Sequence, residues 1–84
     1  MRLLWSEQAL ADLGRAAEWS VIQAEAVVNA LTWMAETGFS LGRRVAGVED
    51  LYWPVPPLGV FYRVDGETMH VLRVIDVRRR REPW

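Results

Sequence analysis

Arg78, Arg79, Arg80 and Arg81 stand in a row directly after the strand-like run 71–77, VLRVIDV, and Trp84 follows within three residues. The row gathers four of the ten basic residues of an 84-residue chain whose formal net charge is −1. A guanidinium is a planar fork of donors suited to bidentate contact with carboxylate or phosphate. A basic row tipped by an aromatic ring can therefore grip an acidic protein surface or a nucleic-acid backbone. The bland alternative is a solvated strand end whose long arginine stems cover apolar surface.

Bond-breaking chemistry has little to work with. There is no cysteine, which removes disulfides and thiolate metal sites. His70, the one histidine, cannot build a zinc site alone. No cofactor and no metal are expected. RNA cleavage by 2′-OH attack needs a general base, a general acid and cations around the phosphorane. At roughly 3.3 Å per strand residue, His70 lies more than about 20 Å from the arginine row, too far for concerted proton transfer. No catalytic residue is assigned.

The other cations read differently. Arg63 and Arg73 fall on a central hairpin, where an arginine commonly pairs with a neighbouring carboxylate; Arg73 also joins the candidate target-binding set with Arg78–Arg81 and Trp84. Arg43-Arg44 lies in a loop and reads as solvated. Residues 1–42 hold two arginines against five acids and residues 43–84 eight against six, so the halves carry about −3 and +2. Every basic residue apart from His70 is an arginine.

These residues need a scaffold. A chain of this length makes one domain, residues 1–84, and buries only about 60–65% of its unfolded surface, so a partner helps to stabilise it. Residues 2–5, RLLW, read as a first strand. Ser6 is an N-cap with Glu7 in the first turn, where the helix dipole favours an anion. Leu10, Leu13 and Ala17, widened by Ala9 and Ala16, predict a helix over 7–18. Ser20-Val21-Ile22-Gln23 matches a capping box and opens a second helix at 21; one long bent helix is the alternative. Ala24, Val27, Val28, Leu31, Met34 and Ala35 give its apolar stripe, and Gly38 ends it.

Residues 39–48 read as a loop. Asp50–Val55 reads as a strand that stops at the run Pro54-Val55-Pro56-Pro57; proline cannot donate to a ladder, so 54–57 is an edge or a connection. Leu58–Val64 and Thr68–Val77 are stronger strands joined by Asp65-Gly66, a hairpin signal. A two-residue turn there would set Val64 against Glu67; a three-residue turn would shift the register by one. The last strand is apolar on both faces, with Val71, Ile75 and Val77 on one and Leu72 and Val74 on the other, which argues for a central place in the sheet. Arg73 implies that its face is partly open, with the helices covering the other. The fold class is α+β: an N-terminal strand, then an antiparallel helical hairpin packed on one face of a mainly antiparallel sheet, β-α-α-β-β-β. The first residues turn polar at Ser6 and no apolar run of about 18 residues follows, so neither a signal peptide nor a bilayer span is expected. A cytoplasmic location is the expectation.

The opening "LLWSEQALADL", the helical hairpin and the ending "GVFYRVDGETMHVLRVIDVRRRREPW" together resemble the RelE/ParE superfamily of toxins from bacterial type II toxin–antitoxin modules, and the ParE, or plasmid-stabilisation, branch above all. The resemblance implies a toxin that causes growth arrest and is neutralised by a cognate antitoxin, here of the ParD-like, ribbon-helix-helix kind. ParE members are associated with poisoning DNA gyrase; RelE members cut mRNA on the ribosome. Where RelE-type enzymes carry a catalytic arginine on the third strand, this chain has Gly59, and their C-terminal tyrosine has no counterpart. Gyrase inhibition by binding is therefore the expected action. A ribosome-dependent mRNA endonuclease and a non-toxic interaction module are the alternatives. Trp5, Leu13, Trp19, Trp33 and Trp53 are the candidate antitoxin contacts. Trp33 lies off the inner stripe of its helix and serves a homodimer equally well.

Overall fold

The computed structural model describes residues 1–38, 40, 42–44 and 50–77. In chain order these form β1 (Arg2–Trp5), α1 (Glu7–Trp19), α2 (Val21–Thr37), β2 (Arg43–Arg44), β3 (Leu51–Val55), β4 (Leu58–Asp65) and β5 (Thr68–Asp76). The sheet order is β1-β5-β4-β3-β2. β1 runs parallel to β5 and every other pair is antiparallel. The last long strand is thus internal, flanked by β1 and β4, as its two-sided apolar pattern requires.

Local chemistry accounts for the helix ends. Ser6 accepts from the Ala9 amide at 2.9 Å and so caps α1. Ser20 accepts from the Gln23 amide at 3.2 Å and starts α2, while its own amide still bonds the Ala16 carbonyl at 2.9 Å. The chain therefore makes two helices with a single residue between them. Gly38 closes α2 at φ 77°, a left-handed position that glycine alone enters without cost.

The core lies between the helices and one sheet face. Val27, Leu31 and Met34 of α2 meet Leu58, Val60, Tyr62, Met69 and Val71, all essentially inaccessible to solvent. Leu3, Trp5, Leu51 and Trp53 pack against this cluster from the flanking strands. The Tyr62 hydroxyl, deep in the core, bonds Ser40 Oγ at 2.8 Å and accepts from the Gly42 amide at 2.7 Å. Burial of that phenol is tolerated because both of its polar contacts are made.

Four details depart from expectation. The hairpin turn falls on Gly66-Glu67, so Asp65 faces Thr68 and Val64 faces Met69. Gly66, at φ 62°, takes the first central position, the place a type II′ turn reserves for glycine. Second, the β4–β5 register shifts between Phe61 and Tyr62, which face Arg73 and Val71. Leu72 is the extra residue, and this bulge puts Val71 and Val74 together in the core where strict alternation had separated them. Third, Arg43–Arg44 forms β2 against Leu51 and Tyr52. Pro54 sits inside β3, opposite Gly59. β2 covers only Leu51 and Tyr52, so beside Pro54 the outer edge meets no strand among the described residues. Fourth, the buried stripe of α1 is Ala9, Asp12 and Ala16; Leu10 is 53% exposed. Two small alanines let α1 lie close to the sheet, and the larger stripe of Leu10, Leu13 and Ala17 turns toward α2 and solvent.

Candidate functional site

An acid on the inward stripe of α1 is the electrostatic centre of the described chain. β1 ends opposite Val71, and α1 takes over its place beside the remainder of β5. The Ser6 amide bonds the Val71 carbonyl at 3.0 Å and the Ser6 hydroxyl donates to the Leu72 carbonyl at 3.0 Å. Further along α1, Asp12 Oδ2 accepts from the Val74 amide at 2.9 Å. The carboxylate thus supplies the ladder partner that β1 no longer reaches.

Asp12 is only 4% exposed. Arg73 grips it with Nε at 2.8 Å from Oδ2 and Nη2 at 3.3 Å from Oδ1. Arg15 adds Nη2 at 2.5 Å, and Gln8 Nε2 stands at 3.5 Å. Burial pushes the carboxyl pKa up, but the bonds from Arg73, Val74 and Gln8 outweigh it and hold the group below its ordinary value. Arg73 is shifted the other way, its charged form favoured chiefly by the hydrogen bond to Asp12. The spacing Ala9–Asp12–Ala16 was the available signal: an acid at a helical repeat between two small apolar residues marks a buried carboxylate with a partner.

On the sheet face away from the helices, Tyr52 lies beside Phe61, ring centroids 5.0 Å apart at 51°. The Tyr52 ring also lies across Gly59, occupying the space where a β-carbon would be. Next to it, Arg63 makes a two-pronged contact with Asp50 Oδ1, at 2.7 Å from Nη2 and 3.1 Å from Nε. His70 faces Arg63 across the hairpin and Leu4 on β1. Arg63 and Arg73 are thus each held by a carboxylate of the chain itself, while their side chains remain about half exposed, at 46% and 48%.

A groove of about 490 Å³ runs between α1 and α2, lined by Leu10, Leu13, Ala17, Val21, Ala24 and Val28, with Glu25 and Asn29 at its rim. A separate cleft of about 340 Å³ lies over Asp12, between Trp19 and Glu18 on α1 and Leu58 and Asp76 on the sheet.

The five candidate antitoxin contacts do not form one patch. Leu13 lines the groove. Trp19, 45% exposed, lines the cleft. Trp5 and Trp53 are half-buried against the core on β1 and β3, with β5 and β4 between them. Trp33 is 47% exposed on α2. Of the candidate target-binding residues, Arg73 is the one placed; Arg78, Arg79, Arg80, Arg81 and Trp84 lie outside the described residues. Among the described residues no group of acids and His70 is arranged to hold a metal ion. No helix among them is long and apolar enough to cross a membrane.

A helical hairpin on one face of a five-stranded sheet, closed by an N-terminal parallel strand, is the α+β architecture of RelE/ParE-like proteins. The fold is shared with a chain of the chromosomal ParDE toxin–antitoxin system from P. aeruginosa, at TM-score 0.74 and 19% identity over 90% of this chain and 95% of that one. It is shared also with a YoeB/ParE toxin from Agrobacterium tumefaciens, at TM-score 0.70 and 15% identity over 88% of this chain and 95% of that one. No curated protein sequence matches. Residues 3–84 match the family profile described as ParE toxin of the type II toxin–antitoxin system parDE, and the chain belongs to that family.

Proposed function

We propose that this ParE-family toxin acts by binding and inhibiting DNA gyrase, without cutting RNA, and that a ParD-like ribbon-helix-helix antitoxin neutralises it in the bacterial cytoplasm. The observation that carries the reading is the Tyr52 ring lying across Gly59. An arginine side chain projecting from position 59 toward a phosphate would need that space. The neighbouring cations Arg63 and Arg73 are already bonded to Asp50 and Asp12. A phosphorane would have to compete with those carboxylates for its electrostatic stabilisation. Gripping a large partner needs no such constellation, and Arg78–Arg81 with Trp84 supply cations and a ring for it, with Arg73 anchoring the strand that leads to them.

The antitoxin surface in this reading is the interhelical groove at Leu13 together with the separate cleft at Trp19, with Trp5 and Trp53 packed against the core on the flanking strands. An amphipathic segment would lay its apolar side there. Supercoiling by purified gyrase, run beside cell-free translation, tests the target. Loss of supercoiling with intact translation is the expected result; mRNA cleaved during translation with unaffected gyrase overturns it. Substituting Arg79 and Arg80 by alanine is expected to abolish growth arrest while antitoxin binding survives.

A further inference from the structure

We propose that the outward face of α2 is a self-association surface, and that two copies of this chain pair through it with their α2 helices antiparallel.

Six of the 17 residues of α2 are polar, Glu25 and Glu36 among them, yet large apolar side chains reach its outward side as well as its core side. A helix of that pattern calls for burial on more than one side. Its core stripe, Val27, Leu31 and Met34, faces the sheet, and Val21, Ala24 and Val28 face the groove with α1. A third stripe lies at Ile22, Ala26, Asn29 and Trp33, roughly 140° round the helix from the groove stripe. Ile22 is 76% exposed and Trp33 47%, and these are among the most exposed large apolar side chains described.

The spacing of that stripe specifies its occupant. Steps of four, three and four residues form the a/d seam of a coiled coil. The seam is also its own complement when reversed. In an antiparallel pair Ile22 of one copy meets Trp33 of the other, Ala26 meets Asn29, and the same two layers recur in reverse order. Two large-to-large layers then sit outside two small-to-polar ones, where the helices can approach closely. This is the isologous contact a two-fold dimer needs. Charge selects the direction. A parallel pair would set Glu36 against Glu36 at the end of the seam, whereas the antiparallel pair holds the two about 25 Å apart. Asn29 borders the groove, but the groove's apolar floor stays clear, so pairing and groove occupancy are compatible. The inference does not depend on the gyrase reading.

Two 17-residue helices make a contact below about 1,200 Å², the size of weak and transient pairs. The test is sedimentation equilibrium of the full chain up to about 100 µM, a range in which a contact of this size associates. Reversible dimerisation is expected. Ile22→Lys and Trp33→Glu are each expected to weaken it by at least about tenfold, since each puts a charge into both large-to-large layers. A mixture of the two variants restores association. In one outer layer the introduced ammonium then meets the introduced carboxylate, and in the other the native Trp33 of the first variant meets the native Ile22 of the second. The groove variant Leu10→Lys dimerises as the parent does. All substituted positions are solvent-exposed, and circular dichroism confirms that each variant is folded. A parent chain that stays monomeric, or a mixture that gains nothing over the separate variants, overturns the proposal.

Discussion

Replacing Asp12 by alanine is the sharpest test of how this fold is held. The substitution strips the Val74 amide of its acceptor at a site that is 4% exposed. An unsatisfied buried donor costs about 1–3 kcal/mol. The charge-assisted bond from Arg73 adds about 1.5–3 kcal/mol in a dry site. Here the lower end or less applies, because the Arg73 side chain is 48% exposed and regains water once released. Arg15, 62% exposed, adds little. Removing a carboxylate also removes its desolvation cost, which works against the loss. The net expectation is about 3 kcal/mol, a large share of the roughly 5–15 kcal/mol typical of a domain. At about 4–8 °C per kcal/mol the melting midpoint falls by roughly 12–24 °C. Asp12→Asn can keep an oxygen on Val74 but turns an NH₂ toward Arg73, and about half the loss is expected. The pH dependence carries a sign. Asp12 titrates below its unfolded value, so its contribution is fully present above about pH 4–5 and disappears as pH falls through the folded pKa. Urea titrations of parent and Asp12→Asn should therefore differ at pH 7 and draw together as the pH falls through the folded pKa, below the ordinary carboxylate range. A loss below about 1 kcal/mol for Asp12→Ala, or curves that stay parallel into acid, would refute the argument.

Other substitutions probe separate joints. Tyr62→Phe removes a hydroxyl that serves Ser40 and the Gly42 amide, and should cost about 1–2 kcal/mol by thermal unfolding with the core volume unchanged. Gly59→Ala drives a methyl group into the Tyr52 ring and should cost about 1–3 kcal/mol; adding Tyr52→Ala should recover part of it, a non-additivity read from a double-mutant cycle. Asp50→Ala removes one acceptor of Arg63 at a surface where the two side chains are 24% and 46% exposed, so the loss should stay below about 1 kcal/mol and shrink further in high salt.

Much of the frame was legible because it rests on short-range signals. Ser6 and Ser20 announce two helix starts, Gly38 one helix end, and the two-sided apolar run of β5 its internal place. The bulge and the inner face of α1 are decided by contacts distant in sequence, the turn by the local backbone at Gly66. The bulge at Leu72 lets Val71 and Val74 share a core that no alternation rule joins. The turn slides to Gly66-Glu67, where Gly66 takes the position that needs a positive φ. The inner face of α1 is the less hydrophobic one, because Asp12 finds Arg73 and Val74 about sixty residues away. For the site, an arginine in a strand was legible as a cation that needs a partner, but not as one bonded to a helix.

That bond makes Arg73 the residue on which gripping and anchoring must be told apart. If Arg73 serves chiefly as an anchor, what matters is the fork that reaches Asp12 with Nε and Nη2 together. Arg73→Lys keeps the charge and loses the fork, since an ammonium is a single point of contact. Stability should then fall by about 1–2 kcal/mol, the scale of one charge-assisted bond at a half-exposed site. Activity against the target should fall no further than the folded fraction does. Arg79→Ala with Arg80→Ala is the converse, expected to leave the melting midpoint in place while activity is lost. If Arg73→Lys melts with the parent yet loses activity, Arg73 is a contact to the target and its bond to Asp12 is incidental.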